Sequence, residues 1–148
     1  MNYIYVDLKY AIKVHDDIIR ISGGREGFND IGLLDSVLEF IQSDMYYPTF
    51  EEKLNHLVYS VNKNHAFSDG NKRSSIALGV AFLELNGFEH CSTRFIYEME
   101  EIAIHVADNR ISKEFLQEII TSLIYEFEFS ESLKLEILDV ISGGQYDF

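Results

Sequence analysis

His65-Ala66-Phe67-Ser68-Asp69-Gly70-Asn71-Lys72-Arg73 joins two segments with helical spacing, and the reading of those flanks decides the fold class. Upstream, Thr49 and Glu52 stand at capping-box spacing, and Pro48 restricts the backbone just before them. Leu54, Leu57, Val58 and Val61 then recur on one face, which predicts a core-facing helix over Thr49–Asn64. Downstream of Arg73, Ile76, Leu78, Val80, Ala81, Phe82 and Leu85 form an apolar segment that stops at Asn86-Gly87, a helix-ending pair. That second helix is apolar almost all round, so it should be the central one. The loop then opens a buried helix, where free N–H groups and the positive end of the macrodipole favour anions. Gly70 can take conformations closed to other residues, which lets consecutive N–H groups form a nest around a phosphate oxygen.

Working outward, the chain reads as helical from end to end. Asp7 caps a helix expected to run to about Ser22 and to end at Gly23-Gly24. Further helices are expected over Asp30–Ile41, Ile96–Ala107 and Ser112–Tyr125, the last with a Ser112 cap and Glu114 in its first turn. Tyr3–Tyr5 reads as a short strand or extended lead, and Ser43–Pro48 as a loop. Near the C-terminus, Leu133, Ile137, Leu138 and Ile141 make an apolar helix face behind a Ser130 or Ser132 cap. No repeat, low-complexity tract or linker divides the chain. The expectation is a single all-α unit: a core over residues 1–125 and a C-terminal helical extension over 126–148, open to a regulatory role.

Composition narrows the function. With 148 residues, 47% of them hydrophobic, the chain can bury a real core. A formal net charge of −13 opposes non-specific binding to nucleic acid or to anionic membranes, since both need a basic face. Cys91 is the sole cysteine, so no intramolecular disulfide framework exists and a reducing cytoplasm is expected. Alone, Cys91 reads as a packed residue rather than a nucleophile. Met1-Asn2-Tyr3-Ile4-Tyr5 lacks the basic start and apolar stretch of a signal peptide, and no apolar run is long enough to span a membrane.

The loop residues carry chemistry of their own. His65 is the candidate catalytic base, because imidazole titrates near neutrality and can take a proton from a Ser, Thr or Tyr hydroxyl; its structural alternative is a histidine at a helix C-terminus. Phe67 reads as an anchor packing the loop on the core. Asn71 offers an amide able to orient a phosphate, or simply a turn residue beside Gly70. Arg73 can grip phosphate bidentately and Lys72 adds a point charge. Among only twelve Lys and Arg, two adjacent cations at a helix start are hard to dismiss as a solvated pair.

The stretch from His65 to Arg73 resembles the Fic/Doc signature, His-x-Phe-x-(Asp/Glu)-Gly-Asn-(Gly/Lys)-Arg. Gly23-Gly24, Gly27, Gly32-Leu33-Leu34-Asp35-Ser36 and Phe82-Leu83-Glu84-Leu85-Asn86-Gly87 are similar to landmarks of its death-on-curing (Doc) branch, so the resemblance covers roughly residues 3–124. It implies a compact helical bundle that transfers part of a nucleotide to a protein hydroxyl. Most members transfer AMP, whereas the Doc branch transfers the terminal phosphate of ATP to a translation factor. The resemblance makes Asp69 the acidic position that holds Mg²⁺ on the nucleotide phosphates, a role suited to a hard carboxylate oxygen; an ordinary turn or cap aspartate is the alternative.

Two positions favour the Doc branch. Lys72 stands where AMP-transferring members commonly carry Gly, and Ile76 stands where they carry a second Arg. A Doc-like phosphotransferase, the toxin of a toxin–antitoxin pair using ATP as substrate, is therefore expected ahead of an AMP transferase or a silent binding module. The resemblance also implies an extended flap that aligns the target protein, expected at Met45, Tyr46 and Tyr47, although these aromatics could merely pack on the bundle. Some relatives inhibit themselves through (Ser/Thr)-x-x-x-Glu-(Gly/Asn). Ser132 and Glu136 match the start of that pattern, but Ile137 breaks its end, and Doc relatives are held by a separate antitoxin instead.

Overall fold

Asp7, Asp30, Thr49, Ser112 and Ser130 each lie in extended backbone and accept a hydrogen bond from an N–H of the following turn, so each starts a helix. The computed structural model describes residues 2–143, and its elements are α1 (Leu8–Ser22), α2 (Ile31–Phe40), α3 (Phe50–Asn64), α4 (Asn71–Leu85), a 3₁₀ turn (Glu89–Cys91), α5 (Ser92–Ala107), α6 (Lys113–Tyr125) and α7 (Glu131–Ile141). No strand occurs among the described residues; one isolated antiparallel bridge joins Phe28 to Phe67. The fold is all-α, as its periodicities required.

At the start of α3 the Thr49 hydroxyl serves Glu52 twice: Oγ1 accepts from the Glu52 N–H at 3.2 Å and donates its hydrogen to the Glu52 carboxylate at 2.9 Å. The helix it starts ends at the motif loop. Next to it, α4 occupies the middle of the bundle and packs on α1, α3 and α5, while α6 covers the other side of α3. The interior of the bundle is rich in aromatic side chains. Phe82 is fully buried beneath Phe50, which stacks on both Phe82 and Phe88 with ring centroids 4.7 Å apart in each pair. Leu54, Leu57, Leu78, Phe95, Met99, Ile119 and Ile120 complete the same core.

Three features differ from, or add to, the sequence expectation. Helix α5 begins at Ser92, four residues before Ile96, because it is entered directly from the 3₁₀ turn and has no capping side chain to announce it. The Tyr3–Tyr5 lead is extended but unpaired; the Asn86 amide stands in for a strand by accepting from the Ile4 N–H at 2.8 Å and donating to its carbonyl at 2.9 Å. Lys53, which reads as an ordinary helix charge, is fully buried and donates to the Ile41 carbonyl at 2.9 Å and to Asp44 at 2.8 Å. It thereby closes the end of α2 and fixes the turn after it.

Helix α7 rests Leu133, Ile137 and Val140 on the core, and Phe129 just before it is buried under the Arg94 guanidinium at 4.8 Å. Its cap is Ser130, one of the two serines the sequence allowed. The last five residues of the expected extension, 144–148, lie outside the described residues. No helix among the described residues is long and apolar enough to cross a membrane.

Candidate functional site

Helix α3 stops because His65 takes a left-handed backbone, φ 52° and ψ 44°. For a residue with a Cβ that conformation costs about 1 kcal/mol or more, so something must hold it. The holding contacts come from the connection between α1 and α2. Asn29 Nδ2 donates to the His65 and Phe67 carbonyls, each at 3.1 Å, and the Asn29 and Asp30 N–H groups both donate to the Ala66 carbonyl, at 2.8 and 3.1 Å. The Ser68 N–H donates to the Gly27 carbonyl at 3.0 Å. The glycine-rich connection between α1 and α2 thus runs antiparallel along the motif loop. His65 itself remains exposed at its edge.

Inside the loop, Phe67 has no exposed surface. Its backbone is stapled by Asn71, whose Oδ1 accepts from the Phe67 N–H at 3.2 Å and whose Nδ2 donates to the Phe67 carbonyl at 3.0 Å. Asn71 therefore spends its amide on the loop rather than presenting it outward. That is a structural duty the residue type did not reveal. Gly70 takes φ 77° as the cap of α4, and no side chain caps that helix among the described residues, so its first turn keeps the open N–H groups that favour an anion.

The Asp69 carboxylate is fixed by two backbone donors: the Arg25 N–H reaches Oδ2 at 3.0 Å and the Gly70 N–H reaches Oδ1 at 2.8 Å. These bonds, with the Arg25 and Arg73 charges adding, hold its carboxyl below the usual carboxylate range, so it is ionised at neutral pH. Arg25 also ties down the preceding residue, donating from its guanidinium to the Ser68 carbonyl at 3.0 Å. Arg73 Nη1 donates to Ser22 Oγ at 2.6 Å and to the Gly23 carbonyl at 2.8 Å, joining the start of α4 to the end of α1. Lys72 is exposed beside them. In a strongly acidic chain, Arg25, Lys72 and Arg73 with the open end of α4 make a local positive field.

Ile76, one turn on from Arg73, adds no charge of its own. It lines an apolar groove of about 430 Å³ with Ile18, Ala77, Val80 and Ile96, with Arg73 and Glu100 among the polar residues bordering it. A second cation is thus missing where AMP-transferring members carry one.

Not every expected participant comes together. Tyr47 stacks on His56 with centroids 4.5 Å apart and lies 3.0 Å from His56 Nδ1, while Tyr46 packs against Phe40. His56 precedes His65 by nine helical residues, about 13 Å of rise, so the Met45–Tyr47 turn flanks α3 well away from the loop. The segment lying along the loop is 27–30 instead. Met45 is exposed with no aromatic partner to place it. Ser132 and Glu136 are both exposed on α7, and Glu136 makes no ion pair with Arg73 among the described residues.

Four residues of the site escaped sequence reasoning: His15, Ser22, Arg25 and Asn29. For His15 a signal existed, since Ala11, His15 and Ile19 repeat every fourth residue along the buried stripe of α1. Arg25 and Asn29 lie in a loop whose only legible feature is its glycines.

Comparison with known proteins covers this same region. The Fic/DOC family model matches residues 5–83, from before α1 into α4 and across the whole loop. Toxin Doc of Mycolicibacterium smegmatis (strain ATCC 700084 / mc(2)155) is 34% identical over 89 residues, which is 57% of this chain and 68% of that protein.

Proposed function

The chain belongs to the Fic/DOC family, and from that premise we propose that it is a Doc-like, protein-modifying toxin that moves the γ-phosphate of ATP to a hydroxyl of a target protein. The observation carrying the reading is the held loop: a left-handed, exposed His65 at one end, an ionised Asp69 in the middle and an uncapped helix with Lys72 and Arg73 at the other. Backbone strain maintained by so many contacts is a mark of a working site.

In the proposed reaction, ATP phosphates lie at the α4 N-terminus, where backbone N–H groups, Lys72 and Arg73 offset their charge. His65 accepts the proton of a Ser, Thr or Tyr hydroxyl on the target. The freed oxygen attacks the γ-phosphorus, the bond to the β–γ bridging oxygen breaks, and ADP leaves. Asp69 suits Mg²⁺, since its ionised carboxylate offers hard oxygen donors to an ion that takes its remaining ligands from substrate phosphates and water. Bound there, Mg²⁺ would neutralise phosphate charge.

Lys72 and Ile76 favour this reading over AMP transfer, because the position that would carry a second phosphate-binding arginine lies in an apolar groove. Restraint by a separate antitoxin accords with the exposed position of Glu136 on α7. Expression in a bacterial host is the test. Wild-type protein should arrest growth and His65→Ala should not; equal arrest by both would overturn a transfer reaction at this loop.

A further inference from the structure

Beneath the loop lies a histidine that the proposed chemistry does not use. His15 is fully buried in α1, and its ring lies flat on Phe67 with centroids 3.7 Å apart and planes 2° from parallel. Its Nε2 is 2.7 Å from the Asp69 carbonyl oxygen, and its Nδ1 is 3.2 Å from Asp16 Oδ1. A carbonyl oxygen only accepts, so Nε2 carries the hydrogen and donates it. We infer that His15 is a positioning residue for group transfer: it fixes the peptide of Asp69 from below, and so sets where the Asp69 carboxylate and the Gly70 N–H point above.

The geometry supports this inference over simple core filling. A leucine would fill a core position in α1 without a polar atom to satisfy, whereas a buried imidazole costs free energy unless bonded. Its bond goes to the one loop residue whose side chain would hold the metal. The carbonyl of Asp69 and the N–H of Gly70 belong to the same peptide unit, so a donor fixing one end orients the other. That N–H in turn binds Asp69 Oδ1 at 2.8 Å. The space around Gly70 is equally tight: a Cβ there would lie 3.1 Å from Ile19 Cδ1 and 3.6 Å from His15 Nε2. The floor under the turn is thus built from α1, with His15 as its sole hydrogen-bond donor in the described structure.

This inference rests on the loop being the transfer site, and two substitutions with two readouts separate the two ideas. His15→Gln places an amide N–H near the position of Nε2–H, while His15→Phe keeps a ring against Phe67 and removes the donor. The first readout is hydrogen exchange of the Arg25 and Gly70 amides without nucleotide. Phe should speed exchange at both by about tenfold or more, with α5 and α6 core amides unchanged, and Gln should restore protection. The second is transfer of label from γ-labelled ATP to protein in a cell extract at saturating ATP: Phe should lower the rate on the order of 100-fold, and Gln should recover most of it. If both variants behave as wild type, or if both lose protection throughout the molecule, the positioning role is wrong. If exchange responds as expected but wild-type protein transfers no label, the transfer reading fails, and with it the role in transfer, while the hold of His15 on the Asp69 peptide stands.

Discussion

Gly24 leaves no room for a side chain. A Cβ there would lie 2.8 Å from Asp69 Oδ2, 2.8 Å from Ile19 Cδ1 and 3.1 Å from Arg73 Nη2, at a φ of 128° that side chains avoid. Gly24→Ala must therefore push the Asp69 carboxylate and the Arg73 guanidinium apart. Displacements of about 1 Å cost on the order of 100-fold in rate, and that loss of γ-phosphate transfer is the expected result, together with a lowered unfolding temperature. Asn71 makes the complementary case. Because its amide closes both polar groups of the Phe67 backbone in a buried setting, Asn71→Ala should cost about 1–3 kcal/mol in urea unfolding, even without nucleotide. A residue serving phosphate alone would leave the urea midpoint unmoved.

At the scale of elements, α4 is central because Gly79 lets its neighbours close in. A Cβ on Gly79 would lie 2.9 Å from Phe95 Cζ on α5 and 3.0 Å from Val58 Cγ2 on α3, and both of those side chains are buried. Gly79→Ala would gain about 1 kcal/mol of helix propensity, but overpacking between two immobile partners costs about 1–3 kcal/mol, so the net effect should be destabilising. Calorimetry should show a fall of a few degrees; a rise would refute the close approach. Most elements were legible in the sequence because caps and apolar spacing are local signals: Asp7, Asp30, Thr49 and Ser112 start their helices where the pattern placed them. The start of α5 was hidden by the absence of a cap. The segment beside the motif was hidden for a different reason. Met45-Tyr46-Tyr47 is the conspicuous aromatic loop, yet the loop beside the motif is Gly27 to Asp30, and pairing between distant segments leaves no periodicity to read. The motif residues His65, Asp69, Lys72 and Arg73 do share one loop and helix start. Their supports from α1 and its following turn, His15, Ser22 and Arg25, are tertiary contacts and had to be seen.

For the whole molecule, pH acts most clearly through a cluster remote from the site. His56 Nδ1 lies 2.8 Å from Lys113 Nζ, and burial followed by the Lys113 charge lowers the His56 pKa from about 6.5 to about 4. The unfolded chain therefore binds a proton that the folded chain refuses between those values, and stability should fall as pH drops through that window. Because His56 is only partly buried, solvent screens some of that difference, and the loss amounts to about 1–2 kcal/mol at the lower end. Urea midpoints measured from pH 7 to pH 4 should show this slope, and His56→Asn should flatten it. The proposed transfer reaction would depend on the assembled molecule, since α1, the α1–α2 turn, α3 and α4 each contribute a part of the loop's setting. The most direct measurement is peptide mass spectrometry of a bacterial extract incubated with the purified protein and ATP. A phosphate adduct on a target Ser, Thr or Tyr, absent with His65→Ala, is the expected result; an AMP adduct in its place, or an adduct that survives His65→Ala, would contradict γ-phosphate transfer by this loop.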